Sequence, residues 1–318
     1  MATPMIGVSI QATDAAAAVD QIAQAEAVGI PAAWSTIGGA GGGDVMTAYA
    51  SALSQTERII LGTAIVQTYP RHPVVIAQQV AALESLGPGR FRIGIGPAHR
   101  PTMTGVYGFN FDAPLTNLRE YLIVLRALLH EGEVDFDGTQ VTAHTRLREP
   151  TGTPIMASAL RPRSFELCGE LTDGAISWMC PRQYMIDEAL PALRKGAEAA
   201  GRDVPPLVAH IPIAVSEDRA AVRDLARAQL ANYSRTPFYL AMFERAGFGV
   251  AEDGYSDELL DGLVISGTES EVAEQLAALI DDGMGEVLAA PLIDNGDRET
   301  SIAASFAAVA RAAKLVAG

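Results

Sequence analysis

Eight short apolar segments alternate with helix-patterned ones along this chain, and that rhythm constrains the fold more than any single motif. The apolar segments are 5–10, 31–35, 59–66, 91–96, 154–158, 175–179, 206–215 and 286–292. Between them lie stretches with helical spacing: 14–29, 44–55, 73–87, 115–132, 161–174, 184–201, a long region from 217 to about 262, and 269–283. An alanine-rich helix closes the chain. Asp14, Asp44 and Thr268 stand where helix N-caps stand, Pro73 falls in a first turn, and Gly29 stops the first helix. Strands alternating with helices predict a parallel sheet covered by helices. Eight such units in 318 residues predict closure into a (β/α)8 TIM barrel, one domain over 1–318, rather than an open doubly wound sheet. Two stretches break the rhythm. Asp137-Gly138 within 133–143 is a hairpin signal after helix four, and the helical region beyond strand seven overruns its unit. Both read as insertions.

Charge and composition remove several classes of function. A net charge of −15 argues against a nucleic-acid surface. No uninterrupted apolar run of membrane-spanning length is present, so no membrane span is expected. The N-terminal apolar stretch has no basic segment before it, which argues against a secretory signal. Cys168 and Cys180 lack metal-type spacing and read as reduced thiols of a cytoplasmic protein. The chain lacks the GxxxxGK[ST], HExxH and GxSxG patterns. Its five histidines, His72, His99, His130, His144 and His210, are not spaced as ligands on one element, so no metal is expected.

Chemistry is therefore sought on the loops after the strands. GRFRIGIGPAHRP (89–101) places Gly94 and Gly96 at a strand end. A dinucleotide fingerprint needs a third glycine opening a helix; here Pro97 and Pro101 follow, and no helix start is expected. The glycines read instead as a strand end that something flat approaches closely. Positive charge is carried almost wholly by arginine, with Lys195 and Lys314 the only lysines. Arg71, Arg100, Arg161, Arg163 and Arg182 fall on the loops of the expected rim. Either they clamp an anionic ligand or they are simply exposed loop charges; charge alone does not choose.

Three segments in order, GTAIVQTYPRHPVVIAQQ (62–79), GRFRIGIGPAHRP (89–101) and ELTDGAISWM (170–179), resemble the luciferase-like flavin and deazaflavin oxidoreductases, above all the branch using coenzyme F420. The resemblance covers nearly the whole chain and implies a flat tricyclic cofactor across the C-terminal mouth of the barrel. It implies a bulge at Thr63, Ala64, Ile65 and Val66, with a non-proline cis bond at Ala64–Ile65, and further cofactor contacts from His72, Gly96, Gly174 and Trp178. The cofactor phosphate is placed at Ala159, Leu160, Arg161 and Pro162, a helix N-terminus; relatives often carry glycine where this chain has Arg161. His99 is the implied proton or hydrogen-bond donor. Trp34, Arg100, Tyr233 and the glycine-rich loop 36–43 are the implied substrate walls. Some relatives carry an Asp-His pair after strand two; this chain has Ser35-Thr36. The implied activity is hydride transfer between F420 and a small carbonyl, imine or activated alkene. The alternatives are an FMN-dependent monooxygenase and a non-catalytic flavin-binding barrel. A homodimer is implied as well.

Overall fold

The computed structural model describes residues 4–36, 42–249, 254–294 and 296–317. From the N-terminus, β1 (Met5–Ser9), α1 (Ala15–Ala27), β2 (Ala32–Ser35), α2 (Val45–Gln55), β3 (Ile60–Thr63), β4 (Val66–Gln67), α3 (Pro73–Leu86) and β5 (Phe91–Gly96) follow in turn. Next come α4 (Pro114–Arg126), a hairpin of β6 (Glu133–Asp137) and β7 (Thr142–Arg146), β8 (Ile155–Ser158), α5 (Pro162–Leu171) and β9 (Gly174–Trp178). The remainder is α6 (Arg182–Tyr184), α7 (Leu190–Ala199), β10 (Leu207–Val215), α8 (Arg219–Gln229), α9 (Pro237–Arg245), α10 (Asp257–Leu263), β11 (Ile265–Gly267), α11 (Glu269–Asp281), β12 (Glu286–Pro291) and α12 (Arg298–Ala317).

Parallel pairings run β12–β1–β2–β3–β5–β8–β9–β10, and β10 returns to β12. With β3 and β4 sharing one place, this is the closed eight-stranded barrel. The caps act as expected: the carboxylates of Asp14 and Asp44 accept the amides of Ala17 and Thr47, and Thr268 and Glu271 form a reciprocal capping box. The α12 helix is long and apolar enough to span a membrane by length and composition, but it packs along β1, β10 and α11, with Ile302, Phe306, Val309 and Ala312 buried.

The hairpin is fastened by one carboxylate. Glu120 of α4 accepts the amides of Thr139, Gln140 and Val141 and the Thr139 hydroxyl. Burial opposes its ionisation, but these donors outweigh it and hold its pKa below the usual carboxylate range.

Three local expectations are corrected. A helical turn does open after the β5 loop, at Pro101–Val106. Proline is tolerated there because the first amide of a helix has no intrahelical partner. The region from 217 is not one helix: α8 ends at Gln229, a tight turn at Tyr233–Arg235 follows, and Pro237 and Ser256 start α9 and α10. A short strand that the residue pattern does not announce, β11, then adds to the end of β10.

The barrel interior holds an ion pair. Glu286, only 3% exposed, accepts the Trp34 indole N–H at 3.2 Å and the Arg92 guanidinium at 2.6 Å. Trp34 is fully buried, and Gly62 leaves its ring room, since a Cβ there would lie 2.3 Å from it. Burial pushes the Glu286 carboxyl up, with Arg92 and Trp34 opposing.

Nearer the mouth, β3 stops at Thr63 and the ladder resumes as β4, with a cis peptide bond between Ala64 and Ile65. The Thr63 hydroxyl bridges this interruption. It donates to the Gly94 carbonyl at 2.8 Å and accepts the Gly94 amide at 2.9 Å. A Cβ on Gly94 would lie 1.8 Å from the Thr63 carbonyl oxygen, so only glycine permits this approach.

Two substitutions test these supports. Arg92→Met leaves Glu286 buried without its cation and is expected to cost about 3–5 kcal/mol in chemical denaturation. Because the Glu286 pKa is then raised in the fold, the loss should shrink as pH falls and the carboxyl protonates. Gly94→Ala drives a methyl into backbone and should cost at least roughly 1–3 kcal/mol in the same measurement.

Candidate active site

The loops at the C-terminal mouth enclose a cavity of about 1080 Å³. That lies at the upper end of small-molecule sites and leaves room for two ligands side by side. The bulge (Ala64, Ile65) and Gln67 form one wall. Pro97, Ala98 and His99 after β5, Ser158 to Ser164 after β8, Ile176 and Trp178 of β9, and His210 of β10 form others. Leu230, Tyr233, Phe238, Tyr239 and Arg245 come from the insertion after β10.

Charge at this mouth is one-sided. Its described lining contains Arg161, Arg163 and Arg245 and no aspartate or glutamate, in a chain of net charge −15. Low-dielectric walls around charges of one sign concentrate the field in the cleft. The Arg161 guanidinium stands 4.8 Å above the Phe238 ring, and Arg245 pairs with Glu188 at 2.7 Å.

The start of α5 is partly self-satisfied. The Ser164 hydroxyl accepts the amides of Leu160 and Arg161 and donates to the Arg161 carbonyl. Pro162 has no amide to offer. Few backbone donors are left for an anion, and the arginine side chains supply the positive charge instead.

The aromatic side of the cavity is continuous. The His99 ring lies 6.0 Å from both Tyr233 and Tyr239, Trp178 lies 5.8 Å from Tyr233, and Trp178 sits 4.2 Å from His210. Burial lowers the His99 pKa below the usual histidine range and pushes His210 down to about 3. The same cause raises the phenols of Tyr233 and Tyr239 and lifts both cysteines to about 12. Neither buried thiol is poised as a nucleophile.

Of the residues singled out from sequence, Ala64, Ile65, His99, Ala159, Leu160, Arg161, Pro162, Trp178 and Tyr233 line this cavity. Thr63 and Val66 lie fully buried behind the bulge. Gly96 serves the protein itself, because a Cβ there would meet the Ser158 hydroxyl at 2.2 Å and Ile65 at 3.2 Å.

Four expectations are corrected. Trp34 points into the barrel interior toward Glu286 and is not among the described residues that line the cavity. His72 is an exposed N-cap of α3: Nδ1 accepts the Val74 amide, and Nε2 lies 3.1 Å from the Thr142 carbonyl of the hairpin. Gly174 opens β9 at the opposite end of the strand, where a Cβ would meet Met156 at 2.0 Å. Arg100 braces the β5 loop, donating to the Phe111 carbonyl at 2.7 Å and lying 3.6 Å from Asp112. Two other rim arginines are also engaged, Arg71 with Asp44 and Arg182 with Asp282. Most of the glycine-rich loop, 37–41, lies outside the described residues; Thr36 beside it lines the cavity.

Sequence reasoning passed over Gln67, His210 and Arg245. For His210 a signal existed: strand alternation through 206–215 puts it on the same face as Val208. Gln67 Oε1 and His210 Nε2 are buried without hydrogen-bond partners. Together with the apolar and aromatic walls, these orphans fit a flat heterocycle with polar edges. The arginines at the start of α5 fit an anionic tail.

Comparisons with known proteins agree with this geometry. The luciferase-like monooxygenase family pattern matches residues 3–286. An uncharacterized protein of Mycobacterium tuberculosis is 27% identical over 215 residues, a match covering 62% of this chain and 63% of that relative's own length. The 5,10-methylenetetrahydromethanopterin reductase of Methanolobus tindarius is 25% identical over 272 residues, covering 77% of this chain and 81% of the reductase. In fold, the coenzyme F420-dependent tetrahydromethanopterin reductase of Methanopyrus kandleri superposes with a TM-score of 0.80 at 22% identity, over 96% of this chain and 98% of that one. With the family match running from β1 to the first residue of β12, this chain belongs to the luciferase-like monooxygenase family.

Proposed function

We propose that this protein is an F420-dependent oxidoreductase, passing hydride between the deazaflavin and a small organic carbonyl, imine or activated alkene. The observation that carries the reading is the mouth itself: a bulged strand end faces a cavity whose charged lining is arginine only. The likeness to a methylenetetrahydromethanopterin reductase supports it from sequence. When bound, the cofactor supplies the hydride, and the protein supplies position, shelter and the proton.

Each role falls to a residue already placed. Ala64 and Ile65 offer the ring an apolar rest, and Trp178 offers it an aromatic edge. Arg161 and Arg163 hold the phosphate-bearing tail. Tyr233 and Tyr239 from the insertion keep water from the reacting side. The proton has few sources, because the described lining has no carboxylate. Burial lowers the His210 pKa to about 3 and raises those of the Tyr233 and Tyr239 phenols. His99 remains, half-buried at the mouth, with a pKa below the ordinary histidine value. Its ring nitrogen gives the proton to the substrate heteroatom or carbon as hydride arrives.

Titration of the protein with oxidised F420 and with FMN tests the cofactor. F420 should bind the more tightly, and Arg161→Ala and Arg163→Ala should each weaken it roughly tenfold, as expected for a lost charge-assisted contact. Tight FMN binding with oxygen consumption would point to the monooxygenase, and F420 binding without turnover of any acceptor to a storage barrel. His99 is tested by the pH profile. For substrate reduction, kcat/KM should rise as pH falls and level off below about 6.5, the unperturbed histidine value, because the acid form accumulates only there. His99→Asn should flatten that limb and lower the rate by roughly 10²-fold or more.

A further inference from the structure

We propose that His210 is a recognition residue, hydrogen-bonding the edge of the deazaflavin ring from the floor of the barrel mouth. The proposal rests on the F420 reading and adds a contact on the wall opposite the bulge. Counting round the closed sheet, β10 lies four places from β3 and β4 in either direction. A flat ring resting on Ala64 and Ile65 therefore extends toward β10.

Much of the neighbouring barrel interior is apolar. Met156, Ile176, Val208 and Leu288 pack together there. His210 follows Val208 on the same face of β10 and interrupts that series with an imidazole. It is 5% exposed and lines the cavity, and its Nε2 has no hydrogen-bond partner. Trp178 packs against one side of the ring, 4.2 Å between centroids, and fixes its direction. A buried nitrogen left unpaired is a standing cost to the fold, and an apolar side chain of similar size would remove it. Such costs persist at sites where a ligand completes the bond. Burial disfavours the charged ring, so the contact is that of a neutral imidazole.

The test measures fluorescence-detected binding of two probes, oxidised F420 and its tailless deazaflavin chromophore, alongside the Tm of the unliganded protein. His210→Phe keeps a ring against Trp178 and removes both nitrogens. It should weaken both probes by the same factor, roughly tenfold or more, while Tm holds or rises. His210→Gln, which returns a polar group at similar reach, should bind both within about threefold of the parent on the same scale. Arg161→Ala should weaken only the tailed probe. Should His210→Phe fold poorly, His210→Leu carries the same expectation. Parental affinity in the apolar variants, or a loss that merely follows a falling Tm, overturns the proposal and leaves the F420 reading standing. Failure of the parent protein to bind either probe overturns both.

Discussion

The hydroxyl of Thr63 holds the mouth of this barrel in shape. Where β3 stops, the ladder to β5 is interrupted, and one side chain replaces it by bonding both the amide and the carbonyl of Gly94. That arrangement needs glycine at 94, so backbone can approach, and glycine at 96, so Ser158 and Ile65 can share the space above. Ala64 and Ile65 are thereby presented to the cavity as a fixed apolar ledge rather than as part of a regular strand. Chemistry between bound molecules depends on close alignment, and a ledge tied by hydrogen bonds to the next strand is a rigid reference for a ligand resting on it.

Charge is sorted between the two ends of the barrel. At the other end, a buried glutamate is paired with Arg92 and accepts the Trp34 indole N–H. At the mouth, three arginines stand without a carboxylate beside them in the lining, although Arg245 finds Glu188 outside it. An acidic protein repels anionic ligands at long range, and a local inversion of sign lets one settle at a single place. The self-capped start of α5 fits that division: its amides are partly used by Ser164, and the positive charge there is carried by guanidinium groups.

The barrel was legible in the sequence because eight apolar strands and their caps repeat a pattern with one economical closure, and Asp14, Asp44 and Thr268 all cap as their positions imply. The site was legible mainly where a run of residues follows a strand, as at 158–162. Single residues were harder. Trp34 ends a strand near the mouth in sequence, yet alternation turns it inward to Glu286, a partner 252 residues away. Gly174 lies in a segment that resembles the family, but at the wrong end of β9 to reach a ligand. His72 and Arg100 look available until the hairpin and the Phe111 segment are folded against them. Arg245 carried no signal, because helical insertions reveal neither which face nor which end meets the barrel. The breaks within 217–262 were written in Pro237 and Ser256, which start new helices, and were passed over in favour of helical spacing.

The stacking of Arg161 on Phe238 joins the loop after β8 to a helix inserted after β10. Both residues line the cavity, one from the start of α5 and the other from α9. Replacing α9 would also remove the aromatic face against which the Arg161 guanidinium rests. The shape of one cavity wall and the placement of the charge beside it are thus linked through a single cation–aromatic pair.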